Sequence, residues 1–162
     1  MRRPGGIGIT LLIMPLILIS APLVQADREA FDDAVNFSLS LPRLHSGINR
    51  SPERIMGQTV LIDGIVSSIT HYGTDETDFL VLVELVSADW EGLEEINLYR
   101  AYVLFGPDFM DEFPPRPGRD PGPRVVPANS HVLVAGQVTQ AVGEEDGSTT
   151  AVIEAYHLRR LQ

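Results

Sequence analysis

Two acidic stretches hold the side chains best suited to chemistry. THYGTDETD, residues 70–78, carries Asp75, Glu76 and Asp78, and AVGEEDGST, residues 141–149, carries Glu144, Glu145 and Asp146. Each stretch has three acids and no base. Carboxylates gathered this way attract a cationic ligand, a metal ion or a basic protein patch, and they repel phosphate. Read as ordinary solvated turns, the same residues are equally at home, with Asp146-Gly147 as hairpin chemistry. His71 beside Asp75 and Asp78 offers imidazole and carboxylate ligands, but the spacing matches no tight motif and no metal is assigned. No Asp-x-Asp-x-Asp-Gly calcium array stands at Glu144 to Asp146. Neither G-x-S-x-G nor H-E-x-x-H nor a phosphate loop is present, and no two acids stand out as an acid–base couple. The expectation is a protein that binds and does not catalyse, with no cofactor.

A second group of candidates is aromatic or basic. Tyr99, Tyr102, Phe105 and Trp90 offer rings for stacking, with Tyr99 and Phe105 on one strand face and Tyr102 on the other. Arg100 is the one base beside them, which suits a sugar or a peptide better than a nucleic acid. As strand residues these aromatics also serve simply as core and surface filling. Arg116, Arg119 and Arg124 lie in a proline-rich stretch that follows Phe109 and Phe113. Arginine–proline text of this kind docks on acidic or aromatic grooves with little loss of entropy, on a partner or on its own domain.

The elements that must position these residues are mostly strands. Thr59 to Thr70, Asp78 to Val86, Ile96 to Phe105, His131 to Gln140 and Thr149 to Leu158 read as five strands. ADWEGLEE, between the second and third, reads as an acidic turn. The link Gly106 to Ser130 holds seven of the twelve prolines. Pro107 to Phe113 has room for one helical turn, and the rest reads as extended. So long a link covers something, binds something or is disordered. Ahead of the strands, Arg28 to Phe37 has a helical spacing, SLSLPRLHSGINR reads as turn, and Ser51-Pro52 opens a short helix that Gly57 ends.

VLIDGIV, from Val60 to Val66, is echoed by VLVAGQV, from Val132 to Val138. Each places Gly64 or Gly136 between β-branched residues of one face: Val60, Ile62 and Val66, and Val132, Val134 and Val138. Two strands that bend to close a barrel both need a place without a side chain, as a bulge or a kink.

Composition bounds the setting. Arg2 and Arg3, an apolar run from Ile7 to Val24 and the small residue Ala26 have the pattern of a signal peptide over residues 1–26. The expected product is exported, periplasmic or secreted, with a lead-in over 27–56, partly helical or flexible, and a barrel over 57–162. An uncleaved N-terminal anchor is the alternative. Cysteine is absent, which excludes disulfides and thiolate metal sites. Lysine is absent too, and the formal net charge is −10. Such a charge disfavours nucleic acid and anionic lipid at long range.

Gln58 to Ile69, Phe79 to Val86, Ala101 to Phe105, His131 to Gln140 and Ala151 to Leu161 together resemble an OB-fold domain. The likeness is to the tRNA-anticodon type and to exported bacterial OB proteins, whose first and fourth strands share V-x-V-x-G-x-V. It implies an all-β, five-stranded Greek-key barrel with binding on strands two and three and their flanking loops. The chain departs from that pattern in the link, where many OB domains place a helix. Pro107-Asp108-Phe109 also echoes a piece of the exported haem chaperones. His157 lacks their tyrosine four residues later, since Leu161 stands there, so haem carriage is set aside. The function expected is binding of a cell-envelope protein through the acidic loops and the Pro/Arg link. Oligosaccharide or single-stranded nucleic acid on the aromatic strand two–three face is the alternative, and a metal or haem carrier the least favoured.

Overall fold

The computed structural model describes residues 35–92, 95–116, 118 and 122–161. The signal-peptide reading of 1–26 lies outside these residues. Among the described residues there are six strands, two α-helices and a 3-10 turn at Pro107–Phe109: β1 (Val35–Asn36), α1 (Leu41–Arg50), α2 (Pro52–Ile55), β2 (Thr59–Gly73), β3 (Leu80–Glu91), β4 (Glu95–Phe105), β5 (His131–Gly143) and β6 (Thr149–Arg160).

The sheet runs β1-β2-β3-β4-β6-β5 and closes by a β2–β5 pairing. β4 and β6 are parallel, and the other four contacts of the ring are antiparallel. This order, with a parallel pair between the third and fifth barrel strands, is the five-stranded OB barrel expected. β1 is a sixth, two-residue strand lying parallel to the start of β2.

Barrel closure explains the echo. Val60 pairs with Gly136, Ile62 with Val134, and Gly64 with Val132, so the two copies pair with each other, each glycine opposite the other copy's valine. The six valines and isoleucines of the shared face are all buried. The glycines are not themselves the bulges. Register shifts fall around Ser67 and Tyr72 in β2, Thr139 in β5 and Tyr156 in β6. What each glycine supplies is room. A Cβ on Gly136 would strike the Glu154 carbonyl oxygen and lie 2.7 Å from Ile153 Cγ2; one on Gly64 would lie 3.2 Å from the Val86 carbonyl oxygen.

Three sequence expectations are corrected. Val35 and Asn36, read as the end of a helix over 28–37, form β1; residues 28–34 lie outside the described set. SLSLPRLHSGINR, read as turn, contains α1. Pro42 is tolerated in its first turn, and Leu41, Leu44 and Ile48 form a buried stripe at helical spacing. ADWEGLEE is not all turn, because β3 continues to Glu91 and β4 starts at Glu95. Gly92, with φ 73°, takes the left-handed conformation that the reversal needs.

Both ends of the barrel are covered. At the Tyr99 end of β4, α1 lays Leu41, Leu44 and Ile48 into the core. Asn49 ties its C-terminus to β6, donating from Nδ2 to the Thr149 carbonyl (2.9 Å) and accepting from the Thr149 N–H at Oδ1 (2.8 Å). At the Phe105 end the link folds inward. The Phe109 and Phe113 rings lie 4.9 and 4.7 Å from that of Phe105, and Phe113 and Val126 are buried. The Val126 N–H bonds to the Glu112 carbonyl, and the Asn129 N–H to that of Val66. Of the three roles open to the link, its described part takes that of a cover.

Candidate ligand-binding face

Alternation along β3 and β4 turns Val81, Val83, Leu85, Ala101, Val103 and Phe105 into the core. It turns Leu82, Glu84 and Val86 outward, opposite Leu104, Tyr102 and Arg100. Polar groups from several elements meet on that outer face. Glu84 lies 3.9 Å from the Arg100 guanidinium and accepts from Ser68 Oγ of β2 at 3.3 Å. The β5–β6 loop brings the Glu144 carboxylate over the sheet, close to the Tyr102 hydroxyl. Partial burial, then Glu144 and Glu84, hold the Tyr102 hydroxyl above the ordinary tyrosine range, and Arg100 opposes them. Glu144 Oε1 is buried and has no hydrogen-bond donor among the described residues.

The β5–β6 loop is built to present this carboxylate. Glu144 and Ser148 pair across it, with the Glu144 N–H bonded to the Ser148 carbonyl, and Gly147 takes φ 83°. Asp146 Oδ1 accepts from the Ser148 N–H at 2.8 Å. The Ser148 hydrogen bonds, with a smaller contribution from Arg100, lower the Asp146 pKa. Glu145 is exposed. The acids of the β2–β3 loop sit elsewhere, at the Phe105 end of β3. Asp78 Oδ1 accepts from the Asp75 N–H at 3.0 Å, and Asp75 and Glu76 are exposed.

The aromatic candidates divide. Phe105 is fully buried, so its ring is core and has no face for a ligand. Tyr99 packs edge-on to His45 of α1 at 5.7 Å and belongs to the margin of the core. Both correct the stacking expectation, for one reason: they share the inward phase of β4. Tyr102 takes the outward phase. Of the arginines, Arg124 is paired with Asp111 of its own link, Arg116 is exposed, and Arg119 lies outside the described residues. Glu84 was missed in the sequence. Its signal was a single charge within the apolar run FLVLVELV.

His71 has another task than metal binding. Its Nε2 is 3.0 Å from the Phe113 carbonyl, so the ring donates its proton there and fastens the link to β2. Beside it lies a cavity of about 420 Å³, lined by apolar residues of β2 and the link, with Glu112 as its one charged group. Among the described residues, no group of three or more His, Asp or Glu is arranged to hold a metal, and no helix is long and apolar enough to cross a membrane.

No protein-family model matches the chain, and no curated protein does. Solved structures do resemble it. A candidate nucleic acid-binding lipoprotein of Klebsiella pneumoniae is 13% identical with a TM-score of 0.49, over 84% of this chain and 98% of that one. A small single-stranded DNA-binding protein of Streptomyces coelicolor is 12% identical with a TM-score of 0.40, over 65% and 93%. The aspartyl-tRNA synthetase of Entamoeba histolytica is 14% identical with a TM-score of 0.46; 81% of this chain matches 22% of that enzyme. Likenesses this distant do not speak for a ligand. Strand order, the β4–β6 parallel pair and the β2–β5 closure make the chain an OB-fold protein.

Proposed function

We propose that this chain is an exported, non-catalytic binding module that holds an extended polypeptide of the cell envelope across the outer face of β3–β4. One observation carries the reading: Glu144 Oε1, buried and without a donor, beside Tyr102 and the Glu84–Arg100 pair. A carboxylate is an acceptor only, and a buried one left unmet costs about 1–3 kcal/mol or more. The fitting ligand therefore brings N–H groups or a cation. A peptide backbone with lysine or arginine side chains supplies both. The net charge of −10 favours the same partner over a polyphosphate.

Single-stranded nucleic acid is the second reading. It draws on the shared fold and on similar structures described as binding single-stranded DNA. Base N–H groups could meet Glu144, but the phosphates would face Glu84, Glu144 and Asp146.

The test is retention of envelope proteins by the wild-type protein and by Glu144→Gln, alongside oligothymidylate binding at rising salt. The expected result is a retained polypeptide that Glu144→Gln loses and little oligothymidylate binding at physiological salt. Oligothymidylate binding that falls steeply with salt, with no polypeptide retained, would replace this reading by the second.

A further inference from the structure

Beyond the barrel, β3 and β4 continue as a two-stranded arm. β2 pairs with β3 no farther than Val86, and β6 pairs with β4 only over Tyr102–Leu104. Among the described residues, 87–91 and 95–99 therefore form strand pairs only with each other. In the barrel the odd-numbered positions of both strands are apolar and face inward. In the arm the phase reverses. The side that continues the interior carries Ser87, Asp89 and Asn97, and the solvent side carries Ala88, Trp90, Ile96 and Leu98. Trp90 is 68% exposed, Leu98 61% and Ile96 47%. Trp90 pairs with Ile96 and Ala88 with Leu98, so these side chains form one surface. Val86 and its β2 partner Ile65, 45% exposed, extend it toward Arg100 and Glu84.

Scattered exposed apolar residues need no explanation, but a contiguous patch does. Here the apolar side is the one that folding leaves in water, so the folding of one copy gains nothing from it. Charge selects the occupant. Glu145 and Asp146 stand exposed on the β5–β6 loop, with Asp146 within electrostatic reach of Arg100, whereas Asp89 and Glu95 lie on the arm's other side and add to the acidity around it. Arg100, the base nearest the arm, is already paired with Glu84. A second copy would bring the same acids face to face, and anionic lipid would be repelled.

We propose that the apolar face of this arm docks an amphipathic, basic segment of a partner polypeptide: apolar side chains over Trp90, Ile96 and Leu98, and flanking lysines or arginines against the acids. The inference rests on the polypeptide reading above and assigns the class of polypeptide.

Trp90 is the chain's one tryptophan, so its emission reports on the surface directly. With the protein as it accumulates in expressing cells, Trp90 should emit as a solvated indole at any protein concentration. A short alternating Leu–Lys peptide should shift that emission to the blue in a saturable way. Peptides alternating Leu–Glu or Ser–Lys should not. Ile96→Ser with Leu98→Ser, which leaves the reporter in place, should weaken Leu–Lys binding at least about tenfold. Leu98→Ser alone serves if the double variant melts earlier than wild type.

Absence of a Leu–Lys shift overturns the inference, as does an equal shift with Ser–Lys, which would mean attraction by charge alone. A blue shift on concentrating the protein would assign the face to a second copy, one with anionic vesicles to lipid, and one with oligothymidylate to nucleic acid. If the serine variants bind Leu–Lys normally while Glu144→Gln does not, the arm is overturned and the polypeptide reading stands. If envelope polypeptides are not retained, that reading fails on its own test.

Discussion

At the scale of single residues, the two echoed glycines are not equivalent. A Cβ at Gly136 meets backbone that cannot give way cheaply, whereas at Gly64 the neighbour need move only a few tenths of an ångström. Gly136→Ala is expected to lower unfolding free energy by about 3 kcal/mol, and Gly64→Ala by about 1 kcal/mol or less, measured by urea denaturation. Tyr102 makes a different prediction. Its proton is held more tightly in the folded chain than in the unfolded one, because burial and then Glu144 and Glu84 disfavour the phenolate. That contribution to stability is whole below the ordinary tyrosine value of about 10 and is lost as pH rises through the higher folded value. Tyr102→Phe should therefore flatten the fall in stability above about pH 10, as denaturant midpoints at stepped pH would show.

At the scale of elements, α1 is held to the barrel by its stripe of Leu41, Leu44 and Ile48 and by one amide. Asn49 binds the Thr149 backbone at both ends, much as a neighbouring strand would. Because Asn49 is exposed, each bond is of ordinary strength, and Asn49→Ala should cost about 1–2 kcal/mol. Hydrogen exchange should rise at the start of β6 more than at its end. Unchanged exchange at Thr149 and its neighbours would mean that the apolar stripe alone holds the helix. α1 was within reach of the sequence, since the spacing 41, 44, 48 is helical. Pro42 and Gly47 hid it, because a proline in the first turn of a helix looks the same in sequence as a proline in a loop.

At the scale of the whole molecule, the link acts as a stopper. Phe113 is buried against Phe105, and the His71 bond to its carbonyl pins the same turn to β2. Phe113→Ala should lower stability by about 3–5 kcal/mol. It should also open the link to trypsin at Arg124 before the barrel unfolds, since the turn that carries Asp111, the partner of Arg124, then loses its buried anchor. Simultaneous loss of link and barrel would show one cooperative unit. Charge also acts at this scale. A chain at −10 places its candidate face among Glu84, Glu144 and Asp146, so long-range attraction is kept for basic partners and weakens with salt.

The sequence by itself determined the five barrel strands, their inward faces and the need for room at Gly64 and Gly136. These follow from period-two alternation and from β-branched residues around a glycine, and both are local signals. Tertiary structure decided which of the outward residues meet. The approach of Glu144 to Tyr102 joins residues on separate elements, 42 positions apart in the chain, and no local pattern records it. It also withdrew Phe105 and Tyr99 from the surface, because a strand's two faces look alike until one of them closes over a core. The reversal of phase in the arm was written in the sequence at Val86, Ala88 and Trp90. It became visible as an exposed surface only once barrel closure had stopped at Val86 and left those side chains without a neighbour.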